Sequence, residues 1–199
     1  IHKSASHADK MPHEVISKGV KAHAPFMVTE GDARYVVEPA CSRGVLYILG
    51  AGHVAFFTAR VGMMTGFETV VIDDRAEFAS RERYPDVDDV RVIESFDHCF
   101  GDDVLTGESF VVIVTRGHRE DKNVLAQALR TEAGYIGMIG SKKKKEATYR
   151  LLRKEGFTGE DFARVRCPVG LEIGADTPEE IAVSITAELI AARAGKLQR

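Results

Sequence analysis

Hydrophobic positions along the chain gather into short solid blocks, separated by stretches in which they recur every three to four residues. Val45–Leu49 (VLYIL) and Phe110–Thr115 (FVVIVT) are unbroken apolar runs, the pattern of strands buried on both faces. Thr69–Asp73, Val90–Ile93 and Tyr135–Ile139 read as further strands, and Val165–Val169 as a sixth. Between them the periodicity predicts helices over His53–Thr65, with Gly66 as its stop, over Lys122–Thr131 and over about 142–155. A last helix opens at Thr177-Pro178-Glu179-Glu180, with Thr177 as N-cap, Pro178 at the first helical position and Glu180 completing a capping box. Such alternation of strand and helix predicts an α/β fold, an open and mainly parallel sheet with helices on both faces.

Upstream the pattern changes. Residues 26–38 (FMVTEGDARYVVE) read as two short strands around Glu30-Gly31-Asp32, a β-hairpin. Pro39 and Gly44 then punctuate the chain, which sets a boundary near residue 40. The expected organisation is an N-terminal extension with a hairpin over 1–40 and a nucleotide- or cofactor-binding domain over 41–199. Residues 1–24 are polar and carry His2, His7, His13 and His23, whose spacing matches no metal-binding motif.

Composition narrows the functional classes. The 199 residues give room for one ordinary domain plus an extension, and 44% apolar with 29% charged residues describes a soluble globular protein. A net charge of −3 and a pI of about 6.2 give no sign of nucleic-acid binding. No apolar run approaches the ~20 residues that cross a bilayer, and the first residues hold no signal-peptide core. The cysteines, at 41, 99 and 167, form no C-x-x-C pair, which argues against a zinc site or a disulfide framework and suits a reducing cytoplasm. Cys167, beside a predicted strand end, is the one nearest the expected pocket.

The chemistry gathers at the carboxyl ends of the predicted strands, where open α/β sheets bind ligands. Gly50-Ala51-Gly52-His53-Val54-Ala55 fits G-x-G-x-x-A between a strand and a helix, the turn of a Rossmann-like dinucleotide site. Gly50 permits the tight turn, Gly52 lets backbone approach a pyrophosphate, and Ala55 keeps helix and strand close. Asp73 ends the next strand, where a carboxylate accepts hydrogen bonds from a ribose. The alternative for Asp73 and Asp74 is one solvated strand-end acid, and Arg75 is placed either to pair with one of them or to flank a nucleotide. Thr115-Arg116-Gly117-His118 follows the fourth strand, which in the usual order lies beside the first. His53, Arg116 and His118 would then rim one crevice, donating to a phosphate or a ring carbonyl, or merely tie loops together. Gly140 and Ser141 precede Lys142–Lys145, four cations in a first helical turn, where positive charge opposes the macrodipole. Either a nearby anion or simple solvation accounts for them. A third cluster, PVGLEIGADTPEE over 168–180, offers Glu172 and Asp176.

GAGHVA, VIDDR, VVIVTRGH, YIGMIGSKKK and PVGLEIGADTPEEIAVSI, in this order over about 44–194, resemble the C-terminal Rossmann domain of the xanthine dehydrogenase accessory protein family, XdhC/CoxI. The resemblance implies a maturation factor that binds the molybdenum cofactor (molybdopterin) as cargo, assists its sulfuration and hands it to an apo molybdenum hydroxylase, with a cysteine desulfurase as a further partner and a homodimer as an option. The sequence itself offers no nucleophile–base–orienter set and no metal-ligand cluster, so no catalytic residue and no bound metal are expected. The resemblance carries over Gly50, Gly52, His53, Asp73, Arg75, Thr115, Arg116, His118, Gly140 and Ser141 as cofactor-binding candidates, to which the charge run adds Lys142. The front of the chain departs from the family, whose members usually carry a separate N-terminal domain with its own glycine-rich motif. NAD or another dinucleotide is the alternative ligand, in a sensing domain or an NAD-dependent oxidoreductase.

Overall fold

The computed structural model describes residues 26–30, 33–37 and 44–197. The chain divides into two compact units, 1–42 and 43–199. In the first, β1 (Phe26–Glu30) pairs antiparallel with β2 (Ala33–Val37), Phe26 opposite Val37 and Glu30 opposite Ala33. That is the expected hairpin. Its turn residues Gly31 and Asp32, the four N-terminal histidines and Cys41 lie outside the described residues.

The second unit is built on six parallel strands: β3 (Val45–Leu49), β4 (Glu68–Asp73), β5 (Asp89–Val92), β6 (Ser109–Ile113), β7 (Tyr135–Met138) and β8 (Val165–Arg166). Their order in the sheet is β5-β4-β3-β6-β7-β8, so the winding reverses between β3 and β6. The helices are α1 (His53–Met64), α2 (His118–Ala128), α3 (Lys142–Lys154), the short α4 (Gly159–Ala163) and α5 (Pro178–Arg193).

Side chains alternate across the sheet and so divide the core into two layers. Leu46 and Ile48 pack with Ala55 and Ala59 of α1 and with Ile185 and Leu189 of α5. Tyr47 and Leu49 join the other layer, with Val124 and Leu125 of α2, Leu152 of α3 and Phe162 of α4. Each fully buried aliphatic side chain stabilises the fold by about 1.5–3 kcal/mol. The inner face of α1 is small: Ala55, Thr58, Ala59 and Gly62 are buried. A Cβ on Gly62 would stand 2.8 Å from Leu46 Cδ2, so this glycine sets how closely α1 rides on β3.

Two expected boundaries are corrected. The helix predicted over 122–131 runs from His118 to Ala128, because the polar turn His118-Arg119-Glu120-Asp121 is helical although it shows no apolar period. The sixth strand pairs only over Val165–Arg166 and not on to Val169. Pro168 has no N–H to offer the ladder, and Val169 instead donates to Met138 O at 3.1 Å.

Candidate functional site

At the carboxyl end of β3 the turn has the expected geometry. Gly50 sits at φ 109°, and a Cβ there would stand 2.5 Å from Val114 O on the chain leaving β6. Gly52 is extended, at φ −76° and ψ −166°, and a Cβ there would meet nothing within 4 Å. It is the N-cap of α1 and offers no side-chain cap; no acid stands in the first turn, and His53, the first helical residue, is exposed.

Asp73 is 1% exposed, and its carboxylate accepts four hydrogen bonds. Ala51 N–H donates to Oδ2 at 2.7 Å, Arg75 N–H to Oδ1 at 3.0 Å, and the Arg75 guanidinium to both oxygens at 2.8 and 2.9 Å. Burial alone would raise this carboxyl, but Arg75 and the Ala51 N–H hold it below its usual range. Asp73 therefore ties the glycine turn to the end of β4 with a carboxylate already saturated by protein donors. Arg75, whose partner the sequence left open, pairs with Asp73 and lays its guanidinium 3.8 Å above the Phe78 ring.

Asp74 is the more exposed acid. Its Oδ2 accepts from Arg116 Nη2 at 2.8 Å, and burial together with its neighbour Asp73 pushes its carboxyl upward. Asp74 follows β4 and Arg116 follows β6, the two strands that flank β3, so this pair spans the end of β3. Among the described residues, no hydrogen bond or ion pair joins His53, Arg116 and His118 to one another. The structure brings them to adjacent strand ends, all three exposed. His118 is the first residue of α2, whose N-cap, Gly117, also gives no side-chain cap.

Thr115 Oγ1 donates to Asp121 Oδ1 at 2.6 Å, and Asp121, fully buried, forms an ion pair with Lys144. Burial pushes the Asp121 carboxyl upward, against the pull of Lys144 and Thr115. The lysine run thus divides. Lys144 has its anion inside the protein, Lys145 lies 5.5 Å over the Tyr149 ring, and Lys142 and Lys143 are exposed. Ser141 caps α3, its Oγ accepting from Lys144 N–H at 3.3 Å. Gly140, at φ 155°, leaves room for the Lys144 stem, which a Cβ would approach to 2.6 Å.

Two buried carboxylates are not evident from sequence pattern. Asp121 is legible only as an acid in a first helical turn. Glu188 stands alone among apolar neighbours of α5, and that isolation is its signal; it accepts from Tyr135 Oη at 2.8 Å and from Gly170 N–H. Glu172 and Asp176 are exposed. Cys167 is buried, and burial raises its thiol despite Lys145 and Lys144; Cys99 is pushed up to about 12 by burial. A cavity of about 700 Å³ opens at the opposite end of the sheet, lined by Tyr135, Arg164 and Arg166 at the amino ends of β7 and β8. Among the described residues no group of three or more His, Cys, Asp or Glu could hold a metal ion, and no helix is long and apolar enough to cross a membrane.

A glycine turn at the reversal point of a parallel sheet defines a Rossmann domain. Residues 46–189 match the family described as the XdhC Rossmann domain, and the chain belongs to the XdhC family. It is 32% identical over 145 residues to the uncharacterized protein YqeB of Escherichia coli (strain K12), covering 73% of this chain and 26% of that protein. It is 30% identical over 149 residues to a probable xanthine dehydrogenase subunit from Bacillus subtilis (strain 168), covering 74% of this chain and 42% of that one. The crystal structure of a xanthine dehydrogenase from Bacillus halodurans superposes with a TM-score of 0.69 at 30% identity, over 94% of this chain and 52% of the other. The chain thus spans from a quarter to about half the length of these relatives.

Proposed function

We propose that the protein is a maturation factor for a molybdenum hydroxylase of the xanthine dehydrogenase type, a chaperone that binds the molybdenum cofactor as cargo and assists its sulfuration and insertion. The observation that carries this reading is the amino terminus of α1, which begins at an uncapped glycine where the winding of the sheet reverses and has no acid in its first turn. It leaves backbone N–H groups and a partial positive charge available to an anion, whereas the neighbouring α2 start already carries Glu120 and Asp121, with the Glu120 carboxylate against Gly117. The cargo is a phosphate-bearing pterin, with or without a nucleotide, and its anionic end suits this crevice. Open space at Gly52 admits a phosphate to the backbone, and His53, with Arg116 and His118 at the adjacent strand end, would supply donors to it. The Bacillus subtilis and Bacillus halodurans relatives, both named for xanthine dehydrogenase, support the hydroxylase as partner. A cysteine desulfurase is the sulfur source this reading requires.

The same turn fits the pyrophosphate of NAD, which makes a nucleotide-sensing domain the second reading. Saturation of Asp73 weighs against it, because the acid that would hold a ribose diol is already bonded to protein.

Calorimetric titration with molybdopterin, its dinucleotide forms and NAD ranks the ligands. In cells lacking the protein, the hydroxylase polypeptide is expected at normal level but inactive, its cofactor absent or without the terminal sulfur. His118→Ala should reproduce that defect in a folded protein. A fully sulfurated, active hydroxylase from such cells overturns the chaperone reading.

A further inference from the structure

Asp74 and Arg116 meet across the end of β3, beside the glycine turn. Asp74 follows β4, Arg116 follows β6, and β3 with the turn that leaves it runs between them. Two strand spacings, about 10 Å, separate β4 from β6, and the ion pair at 2.8 Å bridges that gap. The bridge is lightly held. The Arg116 side chain is 48% exposed and that of Asp74 19%. Among the described residues, Asp74 is the one side-chain partner of the Arg116 guanidinium, so most of its N–H groups remain open to another acceptor. Asp74 Oδ1 has no hydrogen bond among these residues and lies 3.8 Å from Arg75 Nε, whose guanidinium is already bonded to Asp73. Burial and the neighbouring Asp73 carboxylate both disfavour negative charge on Asp74 and push its carboxyl upward.

We propose that Asp74 is a stand-in anion for Arg116: its carboxylate holds the arginine across the end of β3, and a phosphate arriving at Gly52 takes the arginine over and opens the bridge. This rests on the reading of the glycine turn as an anion site. A phosphate has more charge and more acceptor oxygens than a carboxylate, so it wins the guanidinium in a charge-assisted contact. An exposed ion pair is weak, so the bridge yields readily to such a ligand. A neutral ligand must part the same pair without gaining Arg116. Asp74 therefore sets a threshold at the mouth of the turn, and the ligands that cross it most easily bear phosphate or pyrophosphate. Once Arg116 has moved, Asp74 stands beside Asp73 with its counter-ion gone, so ligand binding and proton uptake by Asp74 go together.

Calorimetric titration of the full chain with inorganic pyrophosphate tests this. Asp74→Asn is expected to bind several-fold tighter than the parent, and Arg116→Ala several-fold weaker. Arg116→Ala combined with Asp74→Asn should bind like Arg116→Ala alone, because the effect of Asp74 runs through the arginine. Glu77→Gln removes an exposed acid from the same loop and should leave the affinity unchanged. The gap between the parent and Asp74→Asn should close as pH falls and Asp74 takes up its proton. Asp73 and Arg75 beside Asp74, Arg116 across from it, and His53 and His118 at the adjacent helix starts are common to both proteins, so the gap reports Asp74. An Asp74→Asn affinity equal to or below the parent's overturns the proposal. So does a double variant that binds tighter than Arg116→Ala, which would make Asp74 a mere repulsive charge. Binding of pyrophosphate by none of these proteins overturns it as well, since Asp74→Asn frees the arginine. Binding that Gly52→Val leaves intact removes the anion from the turn itself, whereas loss in Gly52→Val with no gain in Asp74→Asn sinks the bridge alone.

Discussion

Asp73 and Asp74 are chemically identical neighbours with opposite surroundings. Four protein donors saturate Asp73, whereas Asp74 shares one long arginine with the solvent edge. Asp73→Ala would leave the Ala51 N–H and the Arg75 guanidinium without their acceptor, at an expected cost of about 2–4 kcal/mol in folding stability, measured by urea unfolding. Ligand affinity should fall alike for NAD and for molybdopterin, because the turn itself loses its tie. The acid limb has a definite sign. The Asp73 carboxyl is lowered in the fold, so its contribution is complete above the ordinary carboxylate range and is lost as pH falls through the lowered value. Asp73→Asn should therefore flatten the stability profile below about pH 4. The two glycines of the turn separate folding from binding. Gly50→Ala meets Val114 O at a positive φ and should destabilise by about 1–3 kcal/mol. Gly52→Val meets open space, so its melting temperature should match the parent while calorimetry shows the phosphate ligand lost. A parent-like affinity for Gly52→Val would remove the phosphate from this turn. The strand-end acid was legible in VIDDR, but not the direction of its carboxylate, since Ala51 and Arg75 reach it only once β3 and β4 are paired.

At the scale of elements, α3 shows why a charge run cannot be read as one object. Lys144 folds back to the fully buried Asp121, while Lys142 and Lys143 stand in solvent at a helix amino terminus. Replacing Lys142 and Lys143 with glutamate should stabilise α3 by about 0.3–1 kcal/mol each and weaken a phosphate ligand; a stability gain with unchanged affinity would make these two a solvated face. Lys144→Met should instead cost about 3–5 kcal/mol near neutral pH by stranding a buried charge. That loss should shrink in acid, because burial raises the Asp121 carboxyl and an uncharged Asp121 no longer needs its partner. Adding Asp121→Asn to Lys144→Met should recover most of the stability in chemical denaturation. Apolar runs located the first five strands of the sheet to within two residues, but not the end of the sixth, three residues short of Val169, nor the start of α2, whose first turn is wholly polar. Nor did it find α4, although Thr158 and Asp161 form a capping box that the letters T-G-E-D already spell. Local capping chemistry carried that information where periodicity could not.

For the whole molecule, the legible part was the winding. Two unbroken apolar runs named β3 and β6 as central, and their pairing sets the reversal point that gathers Gly52, Arg116 and His118 at adjacent strand ends. What pattern alone could not supply was which polar groups answer one another across that end, such as Arg116 with Asp74 or Tyr135 with Glu188, separated by 42 and 53 positions in sequence. Among the described residues, both hydrophobic layers are made of residues from Val45 onward, and every strand of the six-stranded sheet lies in that span. The unit 43–199 therefore holds its own core, and folding should need nothing from residues 1–42. Expressed alone, residues 43–199 should give one cooperative thermal transition within a few degrees of the full chain and bind the same phosphate ligand with the same affinity by calorimetry. The near-ultraviolet circular dichroism of Tyr47, Tyr84, Tyr135 and Tyr149, all buried, should be retained. A broad transition with that signal lost would mean the first unit completes the fold of the second. An unchanged fold with lost binding would place part of the ligand site in residues 1–42.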